Sequence, residues 1–255
     1  MRYEMLGSLH VVDDAMGESV AMGRKAETLL AVLLVRAGQV VSTDELISEL
    51  WNGAAPRRAT AALHVYVSQI RKGLPRKENG DSPVVTRQGG YLLRTERGEV
   101  DADEFLALVD RARTSYREGR HEGVVDACAK ALELWRGPAL GELIEGPVLF
   151  AHAAWLEETR LECLELMMEA SLALGRHRQV VGHLQSLVVK YPLRETFYQL
   201  LMTALYRCDR QAEALQVYRL ASRHLNEEIG IEPCRALKEL HEAILVGDRL
   251  AFSAA

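Results

Sequence analysis

The 255-residue chain is 48% hydrophobic and 26% charged, the composition of a globular protein. No apolar run approaches the roughly 20 residues needed to span a bilayer. Met1 to Leu6 lack the apolar core and cleavage site of a signal peptide, so a cytoplasmic protein with no membrane partner is expected. The net charge of −5 disguises an asymmetry. Residues 57–97 hold nine Lys/Arg against three Asp/Glu, whereas residues 98–255 hold 18 against 25. A basic segment followed by an acidic body suggests one surface for phosphates and another for a different partner.

The chain opens with β-prone runs at Tyr3–Leu6, Leu9–Val12 and Ser19–Met22, punctuated by Gly7-Ser8 and Gly17. From Arg24 the pattern becomes helical and apolar nearly all round (Leu29, Leu30, Val32, Leu33, Leu34), which predicts a core helix ending at Ala37-Gly38. Ser42-Thr43-Asp44-Glu45 reads as a capping box opening a second helix, with Leu46, Ile47, Leu50 and Trp51 on its buried face and Asn52-Gly53 ending it. Pro56 introduces a third helix from about Arg57 to Leu74.

The third helix puts Leu63, Tyr66, Val67, Ile70 and Leu74 on one stripe. The opposite side carries Arg57, Ala61, His64, Val65, Ser68 and Lys72, flanked by Arg58, Gln69 and Arg71. No acidic residue occurs in its length, which suits the negative potential of the DNA major groove. Arg and Lys neutralise phosphates or reach guanine, Gln pairs with adenine, and small or apolar side chains meet thymine methyls. After a polar loop at 76–81, Val84–Leu93 reads as a hairpin around Gly89-Gly90 with Arg87 near its tip. A hairpin following such a helix is the layout of a winged helix-turn-helix, with Thr86, Arg87 and Gln88 in the wing.

From Asp101 the pattern is almost wholly helical. Gly175-Arg176-His177 and Asp209-Arg210-Gln211 mark equivalent turns one tetratricopeptide period of 34 residues apart, and Gly119-Arg120-His121 is an earlier turn of the same kind. Trp135, Trp155 and Tyr198 at helical spacings read as core. Cys128, Cys163, Cys208 and Cys234 are far apart, as expected of buried or semi-buried free thiols rather than a zinc site or disulfide framework. The predicted fold is mainly α with a small β component: a winged helix-turn-helix at 1–97 followed by an all-α helical-repeat domain at 98–255.

Phosphate-loop, dinucleotide, zincin and serine-hydrolase motifs do not occur, so no catalytic, cofactor-binding or metal site is expected. Three classes of function fit the residues: a DNA-binding regulator of either sign, a helical-repeat adaptor that binds protein alone, or a regulator gated by a small molecule in the repeat concavity.

Leu46 to Trp51, Leu63-His64-Val65-Tyr66-Val67-Ser68-Gln69-Ile70-Arg71-Lys72, and Val85-Thr86-Arg87 closing on Gly90-Tyr91 resemble the effector domain of OmpR-type response regulators. Four further segments, Asp101–Phe105, Leu134–Leu140, Trp155–Arg160 and Glu228–Pro233, extend the likeness over nearly the whole chain. Together they are similar to the Streptomyces antibiotic regulatory protein (SARP) family, in which a winged helix precedes a bacterial transcriptional activation domain. The resemblance implies a four-stranded N-terminal sheet and base-edge contacts near His64, Val65, Ser68 and Gln69. It also implies a head-to-tail dimer or higher array on direct repeats in promoters of a secondary-metabolite cluster, recruiting RNA polymerase holoenzyme with its principal sigma factor. OmpR-type wings usually read Arg-Gly-x-Gly-Tyr; here Gln88 replaces the first glycine.

Overall fold

The computed structural model describes residues 1–13, 20–75, 81–96 and 98–247. The expected strand start at Ser19, most of the polar loop before the hairpin, and the expected domain boundary at Arg97 fall outside them. The chain is mainly helical with small sheets, and by its internal contacts forms two compact units. One comprises residues 1–109 and 130–161, the other 110–129 and 162–255.

In the first unit, β1 (Arg2–Glu4) and β2 (His10–Val12) pair antiparallel, with Tyr3 opposite Val11. Among the described residues this N-terminal sheet has two strands rather than four. Val20 adds only a backbone bond from its N–H to the Val11 carbonyl (3.0 Å), and the chain enters α1 four residues later. Helix α1 (Arg24–Val35) buries every residue from Thr28 to Leu34, as its all-round apolar pattern predicts. Helices α2 (Thr43–Trp51) and α3 (Ala59–Gly73) pack on it. The Ser42 Oγ accepts from the Glu45 N–H at 3.1 Å, so the serine half of the expected cap is formed.

A three-stranded sheet in the order β3-β5-β4 completes the winged helix: β3 (Val41–Ser42), β4 (Val84–Arg87) and β5 (Gly90–Leu93). The β4–β5 turn is Gln88-Gly89, and Gly89 adopts a left-handed backbone (φ 81°). Gly90 runs so close to Val41 that a Cβ there would overlap the Val41 carbonyl oxygen.

Two buried carboxylates hold this unit together. Asp101 accepts from the backbone N–H groups of Met5 (2.7 Å) and Leu6 (3.1 Å), with the Arg136 guanidinium 3.5 Å away. Burial pushes its pKa up, while the two N–H donors and Arg136 pull it back. Glu49, on α2 and 1% exposed, accepts from the N–H groups of Val148 (2.7 Å) and Leu149 (3.4 Å). It thereby satisfies the free end of α6 (Pro147–Ala173). Gly146 passes directly beneath the Glu49 carboxylate, with no room for a Cβ. Phe105 and Trp135 meet edge to face at 5.3 Å in the same core, and Arg160 lies 4.4 Å over the Trp135 ring.

The second unit is built of helix pairs. It takes the later part of α4 (Asp101–Arg117), most of α5 (His121–Glu133), the C-terminal part of α6, and then α7 (His177–Lys190), α8 (Glu195–Arg207), α9 (Gln211–Ile229) and α10 (Arg235–Val246). Gly119, Gly175 and Asp209 all adopt left-handed backbone (φ 69°, 74° and 60°). Each is followed by an arginine (Arg120, Arg176, Arg210) and then the first residue of the next helix, the repeated turn that the 34-residue spacing predicts. Phe197, Tyr198, Leu201, Met202 and Leu205 make α8 the buried centre. Arg113 forks onto Glu162 at 2.8 and 2.6 Å, and Arg194 reaches Glu165 at 2.7 Å.

Two expectations about side chains need correction. Tyr198 and Trp135 are core, but Trp155 is 48% exposed, because the buried stripe of α6 runs through Leu149, Ala153 and Leu156 and leaves this flank outward. Cys128 and Cys163 are buried and Cys208 is half-buried, whereas Cys234 is exposed at the mouth of α10, where its N–H donates to Glu195.

Candidate nucleic-acid interface

The surface predicted for DNA lies wholly in the first unit. Leu63, Val67 and Ile70 anchor α3 in the core, one residue per helical turn, together with Ala59 at its start. What remains outward is Ala61, His64, Val65, Ser68, Gln69 and Lys72, all exposed. The structure adds Thr60, four residues before His64 on the edge of the same face and exposed. Val65 is 54% exposed, an apolar side chain left in water on an otherwise polar face. Helix α3 has no acid in its first turn and ends on Arg71 and Lys72. Arg57 and Arg58 are exposed but precede the helix, which starts at Ala59 with Arg58 as its N-cap.

The wing brings Thr86, Arg87 and Gln88 together at the exposed end of the β4–β5 hairpin. Substituting Gln88 for the customary glycine does not prevent the hairpin: the left-handed residue is Gly89, one position later. Between the end of α3 and the outer strand of the wing lies an open groove of about 430 Å³. Arg71, Ser82, Thr86 and Arg94 line it, with Asp81 at one side. Arg94 was not singled out by sequence. It follows β5 and continues its ladder through an N–H bond to the Pro83 carbonyl (2.9 Å), a placement visible only once the hairpin register is known.

Arg71 behaves differently from its neighbour Lys72. Its Nε donates to the Val84 carbonyl at 3.0 Å and its Nη2 to the Thr86 Oγ1 at 2.7 Å. The guanidinium carbon sits 6.0 Å from the centre of the Tyr91 ring. Lys72 is exposed and forms no such bond among the described residues. His64 lies edge-on to Tyr91 at 6.5 Å, and Trp51 packs against Tyr66 at 6.3 Å, so aromatic rings of β5 and α2 both meet the middle of α3.

A capped helix, a core-anchored second helix with an acid-free outward face, and a hairpin directly after it define a winged helix-turn-helix DNA-binding protein. Comparison with known proteins agrees: residues 17–93 match the family described as "Transcriptional regulatory protein, C terminal", and residues 100–245 match "Bacterial transcriptional activator domain". The chain belongs to the Streptomyces antibiotic regulatory protein family of transcriptional activators, which are regulators and not enzymes. It is 36% identical to the transcriptional regulator RedD of Streptomyces coelicolor, over 96% of this chain and 70% of that protein. To the regulatory protein DnrI of Streptomyces peucetius it is 34% identical, over 97% of this chain and 93% of that protein. It spans only 22% of the regulatory protein AfsR of Streptomyces griseus, at 38% identity. A solved structure of Mycobacterium tuberculosis EmbR, in complex with a low-affinity phosphopeptide, superposes with a TM-score of 0.89 at 31% identity, over 96% of this chain and 65% of that one. No described helix is long and apolar enough to cross a membrane.

Proposed function

We propose that this chain is a promoter-specific activator that lays the outward face of α3 in the major groove, with Thr60, Ala61, His64, Val65, Ser68 and Gln69 toward base edges. Lys72, Arg57 and Arg58 flank that face where phosphates run, and Arg87 and Gln88 lie on the adjoining minor groove or backbone. The observation that carries this reading is the acid-free outward face of α3, held rigid by Leu63, Val67 and Ile70 beneath it. DNA recognition is assigned to residues 1–97 and activation to residues 98–255. The second of these contributes the segment 130–161 to the compact unit that bears the interface.

Protomers bind head to tail on tandem direct repeats, and the bound array recruits RNA polymerase holoenzyme with its principal sigma factor at promoters of a secondary-metabolite cluster. The protein works in the cytoplasm at the nucleoid, without a cofactor. A repressor would use the same DNA contacts, and reporter output from the bound promoter distinguishes the two. The test of the array is a pair of DNA fragments with the same half-sites, one direct and one inverted. Tighter binding to the direct repeat supports the head-to-tail arrangement, and tighter binding to the inverted repeat refutes it.

A further inference from the structure

Phosphate contact and wing placement are separate tasks, and adjacent residues at the end of α3 divide them. The sheet order β3-β5-β4 leaves β4 as an edge strand, paired on one side only. Strand β5 is held by β3 through Val41 and Ser42, and the turn by the Thr43 N–H on the Gly89 carbonyl (3.0 Å), so β4 is the strand of the wing with a free edge. The guanidinium of Arg71 reaches across from the last turn of α3 and occupies two acceptors on that strand: the Val84 carbonyl and, two residues along, the Thr86 hydroxyl. Two N–H groups of one planar guanidinium thus bridge two points of β4 that are two residues apart. Arg71 is half-buried, and its ring contact with Tyr91 reaches β5 as well.

We propose that Arg71 is a positioning residue: it ties the outer strand of the wing to the recognition helix, so that α3 and β4 address one stretch of DNA as a single rigid surface. This rests on the DNA-binding reading above. Two consequences follow. Arg71 and Lys72 do not act alike, since Lys72 offers a free ammonium to a phosphate while the fork of Arg71 is spent on β4. A lysine cannot replace Arg71, because a point charge with tetrahedral donors does not reproduce two parallel N–H bonds. At a simple phosphate contact, by contrast, lysine would serve nearly as well.

The test uses the full chain with Arg71→Lys, Arg71→Ala, Thr86→Val and Lys72→Ala. Without DNA, backbone amide exchange in β4 should rise about tenfold or more in both Arg71 variants and less in Thr86→Val, and stay unchanged in Lys72→Ala. On promoter DNA, hydroxyl-radical protection under the wing should fade in both Arg71 variants while the major-groove protection persists. If Arg71→Lys matches the unsubstituted chain in both readouts, and Arg71→Ala only flattens the salt dependence by about one unit as a lost phosphate contact does, the positioning role is overturned. The exchange measurement needs no DNA. A chain that binds no promoter therefore refutes the DNA reading, and the β4 exchange still decides the clamp.

Discussion

Replacing Glu49 by alanine leaves two backbone donors at the start of α6 without their acceptor. The two Glu49 oxygens accept from Val148 and Leu149 at 2.7 and 3.4 Å, and the residue is 1% exposed. Hydrogen bonds to a charged group contribute about 1.5–3 kcal/mol each, and the longer of these two belongs at the weak end of that range. Loss of an N-cap alone costs about 0.5–2 kcal/mol, and the same amides are counted in both figures. The expected cost of Glu49→Ala is therefore about 3 kcal/mol, or a fall in melting temperature of roughly 6–12 °C for a unit of this size. Glu49→Gln keeps the shape but turns an NH2 toward one of the donors, so it should recover less than half of the loss. Gly146→Ala should be destabilising by a similar amount, because its Cβ would press on Glu49. The double variant should cost less than the two singles combined, since they disrupt one contact. Urea titration followed by circular dichroism measures all four. A cost below about 0.5 kcal/mol for Glu49→Ala would refute the claim that the carboxylate caps α6.

Gly90→Ala should separate β3 from β5 and cost upward of about 2 kcal/mol, because the obstacle is the Val41 backbone and not a movable side chain. Thermal melting checks it, and Gly89→Asn, at the exposed left-handed position, should by comparison cost under about 1 kcal/mol. His177, whose Nδ1 is buried without a partner, is pushed below the ordinary histidine pKa first by burial and then by Arg207. Its depressed folded pKa means that this part of the stability is present above the unfolded value of about 6.5 and is lost as pH falls through the folded one. Ring NMR should show His177 titrating below about 6.5 and moving upward in Arg207→Ala, and His177→Gln should flatten the stability profile on the acid side of that value.

Which side of α3 faces outward was legible because it needs only local information. The stripe Leu63, Val67, Ile70 fixes which side of α3 is buried, and the outward residues follow from the helical period. The repeat turns were legible for a related reason: glycine, or an aspartate that tolerates left-handed backbone, recurs at Gly119, Gly175 and Asp209. What escaped depends on contacts distant in sequence. Nothing near Glu49 announces that it will cap a helix about 100 residues later, nor that Asp101 will meet Met5 and Leu6. Arg71 reads as one more basic residue until β4 is placed beside it. Trp155 carried an apolar signature that misled, since a large ring on a helix says nothing about which flank the neighbouring elements leave open.

The central claim, that the acid-free face of α3 binds DNA, is tested most directly by the salt dependence of binding to a promoter fragment, comparing the full chain with Lys72→Ala. Log affinity should fall steeply with log salt for the unsubstituted chain, and the slope should be shallower by about one unit in the variant, with the same promoter preferred. Binding that ignores salt, or a Lys72→Ala variant whose slope and affinity equal those of the unsubstituted chain, would contradict it.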